Sequence, residues 1–335
     1  MIIIFGGSGF IGRYLCCELK RQGRDPLCVG KSDRAKDFCR ANGIPFLQVD
    51  INNKEDFRKL PTRDIEAVVH LVALSVELNP TTEQLLQNII FGTYNVLEFS
   101  TGARVPKIIH TSTHKVYCDL WRPECLPIRT DHGPHFSGHA SPYILSKLAA
   151  ERLVQYYHEE YGMDGMTFRL TGVKGYGEII GSLGADGSYK KSAIETFIEK
   201  AIRSEPIEIW GQHTARRDHI YVKDVVSCII KAISTKGKSG VYNLASGKGV
   251  TIEDEAKAIV EVFSPPDRPS PLIYKPEIED RTPSWVYDIS DTVKAFSWEP
   301  QYGYKEMIQD YKAEMQTRRF AHFHSVRPEN RPIYW

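Results

Sequence analysis

The sequence predicts an α/β protein with a doubly wound parallel sheet and a smaller mixed α/β domain. Three observations predict this: short apolar runs alternate with helix-period segments through the first half, a glycine-rich turn joins the first run to the first helix, and the alternation breaks near residue 175. Strands that are continuously apolar and separated by helices belong to a sheet covered on both faces.

The elements follow in order. MIIIF is the first strand and FIGRYLCCELKRQG the first helix; PLCVG, PFLQVD, AVVHLVAL and KIIHTST read as further strands, with the helix LLQNIIFGTYNVLEFS before the last. SKLAAERLVQYYHEEYG is helical and leads to the strand MTFRLTG. The glycine-rich interval from Gly172 to Gly187 reads as a ligand-side loop. The helix SAIETFIEKAIR, the strand IEIWG, the helix DVVSCIIKAI, VYNLASG and the helix TIEDEAKAIVEVF complete a mixed second half. This divides the chain into a first domain over residues 1–175 with a return segment near 217–245, a second over 176–315, and a polar, basic and aromatic tail over 316–335.

With 335 residues, 41% hydrophobic, the chain can bury a sizeable core. Its 43 basic and 42 acidic residues leave a net charge of +1, so no global field attracts a nucleic acid or a membrane, and an anionic ligand has to be held locally. Seven cysteines with no C-x-x-C pair read as reduced thiols. No leader and no run of 18 apolar residues is present, so a soluble, cytoplasmic protein is expected, and no metal site is read.

The turn Gly6-Gly7-Ser8-Gly9-Phe10-Ile11-Gly12 carries the first chemistry. Gly6 permits the tight turn, Gly9 lets the backbone approach a pyrophosphate, and Gly12 lets helix and strand pack closely, while the helix N-terminus offers free N–H groups to the anion. A dinucleotide-binding, Rossmann-like domain is the expectation. Where an acid selective for NAD would end the second strand, PLCVG ends on Gly30, and Lys31, Ser32 and Arg34 follow with Asp33 among them. NADP is therefore expected, with NAD as the alternative.

The second motif is Ser141-Pro142-Tyr143-Ile144-Leu145-Ser146-Lys147, a Y-x-x-x-K that stacks phenol and ammonium on one helix face. A tyrosine titrates near pH 10, so a role in proton transfer near neutrality needs a neighbouring cation, which Lys147 would supply while also reaching the nicotinamide ribose. The strand KIIHTST brings Thr111, Ser112 and Thr113 to the carboxyl edge of the sheet, where ligands of such folds bind.

With these motifs, residues 1 to 315 resemble the extended short-chain dehydrogenases/reductases, most closely the sugar-nucleotide epimerase, dehydratase and reductase group. HLVAL at 70–74 resembles H-x-A-A, NIIFGTYNVLE from Asn88 resembles N-x-x-G-T-x-N-V-L-E, and RDHIYVKD from Arg217 resembles R-D-F-I-H-V-x-D. RLTGVKG from Arg169 resembles R-x-x-N-V-Y-G, with Gly172 for the asparagine and Lys174 for the tyrosine; Asn243, Gly247 and Trp298-Glu299-Pro300 complete the match. The resemblance implies that Thr113, Tyr143 and Lys147 are catalytic. It implies cofactor contacts from the glycine turn with Phe10 and Ile11, and from Lys31, Ser32, Asp50, Ile51, Leu71, Val72, Ala73 and Thr111, together with Tyr143 and Lys147. Thr113, His114, Gly172, Arg217 and Arg281 are implied on the substrate side, the two arginines at a diphosphate. A homodimer is implied as well.

Dehydratases of this group carry Asp-Glu after the catalytic threonine, where this chain has His114-Lys115, and decarboxylating relatives keep a glutamate at the second position. Hydride transfer to or from a nucleotide-activated sugar, as a ketoreductase or an epimerase, is the expected reaction, and His114 could tune proton chemistry there. The rival readings are an NDP-sugar dehydratase, a reductase of an apolar alcohol or ketone, and a dinucleotide sensor without catalysis.

Overall fold

The computed structural model describes residues 1–74, 79–134, 140–177, 181–183, 189–279 and 282–320. Strands β1 (Ile2–Phe5), β2 (Pro26–Gly30), β3 (Phe46–Gln48), β4 (Ala67–His70), β5 (Lys107–Thr113) and β6 (Asp164–Leu170) run parallel in the order β6-β5-β4-β1-β2-β3. The helices between them are α1 (Phe10–Arg21), α2 (Asp33–Ala41), α3 (Thr82–Leu85), α4 (Gly92–Gly102) and α5 (Pro142–Tyr161). Ile2 and Ile4 of β1 enter the apolar layer shared with α1, whereas Ile3 and Phe5 enter that of α4 and α5, so the sheet is covered on both faces as its apolar strands require. The order reverses between β1 and β4, which opens a crevice at the carboxyl ends of those strands.

Beyond β6 come β7 (Gly172–Lys174), β8 (Gly181–Leu183), β9 (Tyr189–Lys191), β10 (Ile207–Trp210), β11 (Arg217–Tyr221), β12 (Gly240–Leu244), β13 (Gly249–Val250) and β14 (Leu272–Lys275), with α6 (Ala193–Arg203), α7 (Val222–Ser234), α8 (Ile252–Phe263), α9 (Ser290–Phe296) and α10 (Tyr304–Gln316). The chain returns to the main sheet at β12, which pairs with β6 in parallel as its seventh strand. Strands β7, β11 and β13 form a small sheet, and β10 pairs with β14. The strand β14 is not among the expected elements.

Two elements differ from expectation. The single helix expected over LLQNIIFGTYNVLEFS is α3, a wider π-type turn over Leu86–Phe91, and α4. Gly92 lies where a Cβ would come 2.5 Å from Ile51 Cδ1, and Asn95 Nδ2 donates to the Ile51 carbonyl at 2.8 Å, so Ile51 is a packing partner of α4. The expected tail begins packed: the ring of Phe320 meets those of Tyr14 and Phe38 edge-on, with centroids 5.3 and 5.6 Å apart. Residues 321–335 and part of the Gly172–Gly187 interval lie outside the described residues. No described helix is long and apolar enough to cross a membrane.

Candidate active site

The glycine turn closes on the crevice. Gly6 has φ of +80°, and a Cβ there would lie 3.1 Å from Val72 N, so the strand-end backbone of Leu71 and Val72 stands against the turn. At Gly12 a Cβ would fall 2.3 Å from the Gly6 carbonyl oxygen, so only glycine lets α1 sit this close. Gly9 caps α1 without a side-chain hydrogen bond, and the first turn carries no acid. The N-terminal N–H groups thus remain available to an anion, and the cradle fits the pyrophosphate of a dinucleotide.

Gly30 ends β2 with Ser8 Oγ 3.4 Å from where its Cβ would stand. Lys31 is largely exposed and reaches Asp50 Oδ2 only at 3.9 Å; the side chain of Arg34 lies outside the description.

Pro142 in the first turn and Ser141 as N-cap start α5 immediately before Tyr143, which places the phenol at the helix mouth. One turn on, Lys147 is buried, and its Nζ donates to the Thr111 carbonyl of β5 at 2.8 Å, which fixes α5 to the strand that ends in Thr113. Burial pushes the pKa of Lys147 down to about 8, against the raising pull of Glu151. Thr113 Oγ1 accepts the Lys115 backbone N–H at 3.2 Å, which leaves its own proton to be donated elsewhere.

A buried network backs this edge, and most of it was not read from the sequence. Glu151 takes the Arg169 guanidinium through Nε at 3.1 Å and Nη2 at 2.6 Å, and also the Ser112 hydroxyl. Arg169 Nη1 donates to Tyr117 Oη at 2.6 Å, and Tyr117 donates to Asn243 Oδ1 at 3.0 Å. The available signal was spacing, since Tyr143, Lys147 and Glu151 follow at intervals of four on one helix face. His70 and His110 lie beneath, both buried and both shifted below their usual range by burial, His70 to about 3.

One expectation for a substrate residue needs correction. His114 is not placed to tune protons near neutrality: burial pushes its pKa down to about 3, its Nδ1 is paired with Tyr287 Oη at 2.8 Å, and its ring stacks on Trp121. Arg217 Nη2 donates to Glu255 at 2.8 Å, and the pair is largely buried. The same carboxylate meets His219 Nε2 at 3.2 Å and the Tyr304 hydroxyl at 3.2 Å. Burial works to raise the pKa of Glu255, but the hydrogen bond with His219 and the charge of Arg217 hold it down to about 2. Gly172 pairs with His219 across β7 and β11, and a Cβ there would lie 2.9 Å from His219 Nδ1, so this glycine makes room for the imidazole. Arg281 lies outside the described residues.

A cleft of about 380 Å³ opens between Trp121, Arg122 and Pro123 on one side and Gly211–Ala215, Pro276, Ile278 and Pro283 on the other. No group of three or more potential metal ligands occurs among the described residues.

The profile of the NAD dependent epimerase/dehydratase family matches residues 2–245. A putative UDP-glucose 4-epimerase of Methanocaldococcus jannaschii is 28% identical over 260 residues, covering 76% of this chain and 79% of the relative. A UDP-glucuronate 4-epimerase of Thermodesulfobacterium geofontis is 27% identical over 322 residues, covering 91% and 92%. The crystal structure of the Thermotoga maritima UDP-glucose 4-epimerase with UDP-glucose has a TM-score of 0.75 at 23% identity, covering 95% of this chain and 99% of that one, a likeness of fold. The match spans every element that builds the crevice, from the glycine turn to β12, and the chain belongs to the NAD dependent epimerase/dehydratase family.

Proposed function

We propose that the protein transfers hydride at a ring carbon of a nucleotide-activated sugar, as an epimerase at C4 or as a ketoreductase. The observation that carries this reading is the lysine pinned between α5 and β5, which holds a buried cation one turn from Tyr143. Tyr143 takes the hydroxyl proton of the sugar as the carbinol hydrogen leaves as hydride, and returns it when the carbonyl is reduced. The Lys147 ammonium favours the phenolate during that exchange. Thr113 donates to the reacting oxygen as its charge changes. A nicotinamide dinucleotide, when bound, supplies the hydride acceptor and donor. The glycine turn would hold its pyrophosphate, Leu71, Val72 and Ala73 would line it, and Asp50 and Ile51 would border the adenosine.

The absence of carboxylates at 114 and 115 disfavours dehydration. The named relatives act on UDP-sugars at C4, which supports that class and position here. Arg217, steadied by Glu255, is the candidate for the diphosphate, with Arg281 as its proposed companion.

NADP is the proposed cofactor, since Gly30 presents no acid to a 2′-phosphate and the exposed Lys31, whose contact with Asp50 is long at 3.9 Å, can turn toward it. That preference favours the ketoreductase reading. Exposed Leu86, Phe91, Leu145 and Tyr156 on neighbouring helical surfaces support a homodimer. The test is incubation with UDP-glucose and UDP-glucuronate, following the C4 epimer by NMR, and with a 4-keto nucleotide sugar, following loss of reduced cofactor. No conversion and no binding of any of these would overturn the proposal.

A further inference from the structure

We infer that Lys115 is a specificity residue that pairs with an anionic substituent of the sugar, which makes a nucleotide-activated uronic acid the substrate class of this site. The inference rests on the reading of Tyr143 as the group at the reacting hydroxyl. Lys115 is anchored to the catalytic edge through its backbone, whose N–H donates to Thr113 Oγ1 at 3.2 Å. Its side chain reaches over the phenol, with Nζ 5.7 Å from the centroid of the Tyr143 ring. It is half-buried, and no carboxylate pairs with it among the described residues. A cation withdrawn from water is costly unless an anion meets it, so a ligand carboxylate gains here what a neutral hydroxyl does not.

The chemistry of the ring says which substituent this is. At a pyranose reacting at C4, the neighbouring groups are the C3 hydroxyl, which stays neutral, and C6, attached through C5. Only C6 can be a carboxylate, and it is one in a uronic acid. The diphosphate on C1 lies across the ring and is assigned to Arg217.

His114 is turned into its aromatic pocket and is neutral, so the pair that replaces two carboxylates of the dehydratase pattern presents a single positive charge beside Tyr143. Replacing a carboxylate of the protein by an ammonium reverses the substrate charge the site favours.

The experiment compares kcat/KM for UDP-glucuronate and UDP-glucose with the cofactor-loaded enzyme. The wild-type protein should favour the uronate. Lys115→Gln should cut the uronate-to-hexose ratio by roughly tenfold or more, mainly through KM of the uronate, and Lys115→Arg should keep most of it, the scale expected of a hydrogen bond between charged groups. A wild-type preference for UDP-glucose overturns the inference and leaves the hydride-transfer reading standing. So does an equal loss for both sugars in Lys115→Gln, because a lysine that only tunes the Tyr143 phenol acts on every substrate alike. Failure to bind or convert either nucleotide sugar overturns both.

Discussion

Glu151 and Arg169 form a buried ion pair beneath the catalytic edge, with the guanidinium of β6 held by the carboxylate of α5 at 2.6 and 3.1 Å. Both residues lie within hydrogen-bonded elements that also carry the site, so the pair couples the helix of Tyr143 and Lys147 to the strand beside Thr113. Its first consequence is electrostatic. Glu151→Gln removes the charge that raises the pKa of Lys147, so that pKa falls below about 8 and the alkaline limb of the kcat/KM profile moves to lower pH. The variant should also lose about 3–5 kcal/mol of stability, because it leaves the Arg169 charge buried alone. An unmoved limb in folded variant would show that Glu151 serves packing only.

Tyr143→Phe keeps the ring and deletes the proton donor. Turnover should fall by roughly a hundredfold or more while the cofactor still binds, as for a positioned acid–base group. Steady-state kinetics with calorimetric titration of the cofactor check both halves, and near-normal turnover would exclude the assignment.

Arg217→Ala should raise KM for the nucleotide sugar by about tenfold and leave cofactor affinity nearly unchanged, on the scale of a lost charge-assisted hydrogen bond. Glu255→Gln should move the same constant in the same direction, because Arg217 then loses the partner at 2.8 Å that orients it. Equal effects on substrate and cofactor would assign the pair to the fold.

For the cofactor, isothermal titration of NADP and NAD into the wild-type protein and Lys31→Ala is decisive. NADP should bind more tightly to the wild type, and the substitution should weaken NADP by several-fold with little change for NAD. Equal or tighter binding of NAD, with no effect of Lys31→Ala on NADP, would refute the preference.

Stability should depend on pH through buried imidazoles. His70, His110, His114 and His219 are all shifted downward by burial, so the folded protein keeps them neutral where the unfolded chain protonates them. Below about pH 6.5 the unfolded state therefore binds more protons, down to about pH 3 for His70 and His114, and stability falls as pH is lowered, each histidine adding up to about 1.4 kcal/mol per pH unit within its window. Calorimetric melting temperatures from pH 7.5 down to 4.5 should decline steadily, and His110→Gln should flatten the slope. A flat profile would contradict this.

Much of the site was legible because its signals are local. The glycine turn, the Y-x-x-x-K spacing and the strand ending in Thr113 each need only neighbours in sequence, and β5 runs from Lys107 to Thr113 as its apolar run implies. Partners were not legible where the fold brings distant segments together. Glu255 captures Arg217 from α8, and Tyr287 captures His114 from beyond the small sheet. The neutral state of His114 follows from that burial, which its reference pKa cannot reveal. Tyr143, Lys147 and Glu151 show the middle case: the spacing was in plain view, and the meaning of the third residue waited for Arg169 on another element.

The position of β12 has a consequence for biosynthesis. Its neighbour β6 is finished at Leu170, yet β12 begins only at Gly240, so the nascent chain must extend through β7, β11 and α7 before the edge of β6 is covered. Until then an edge bearing Met166 and Phe168 has unpaired backbone groups and invites pairing with other chains. A ribosome stalled, or a gene truncated, before codon 240 therefore releases a sheet with an adhesive margin, and such fragments should accumulate as inclusion bodies rather than as a separable nucleotide-binding half.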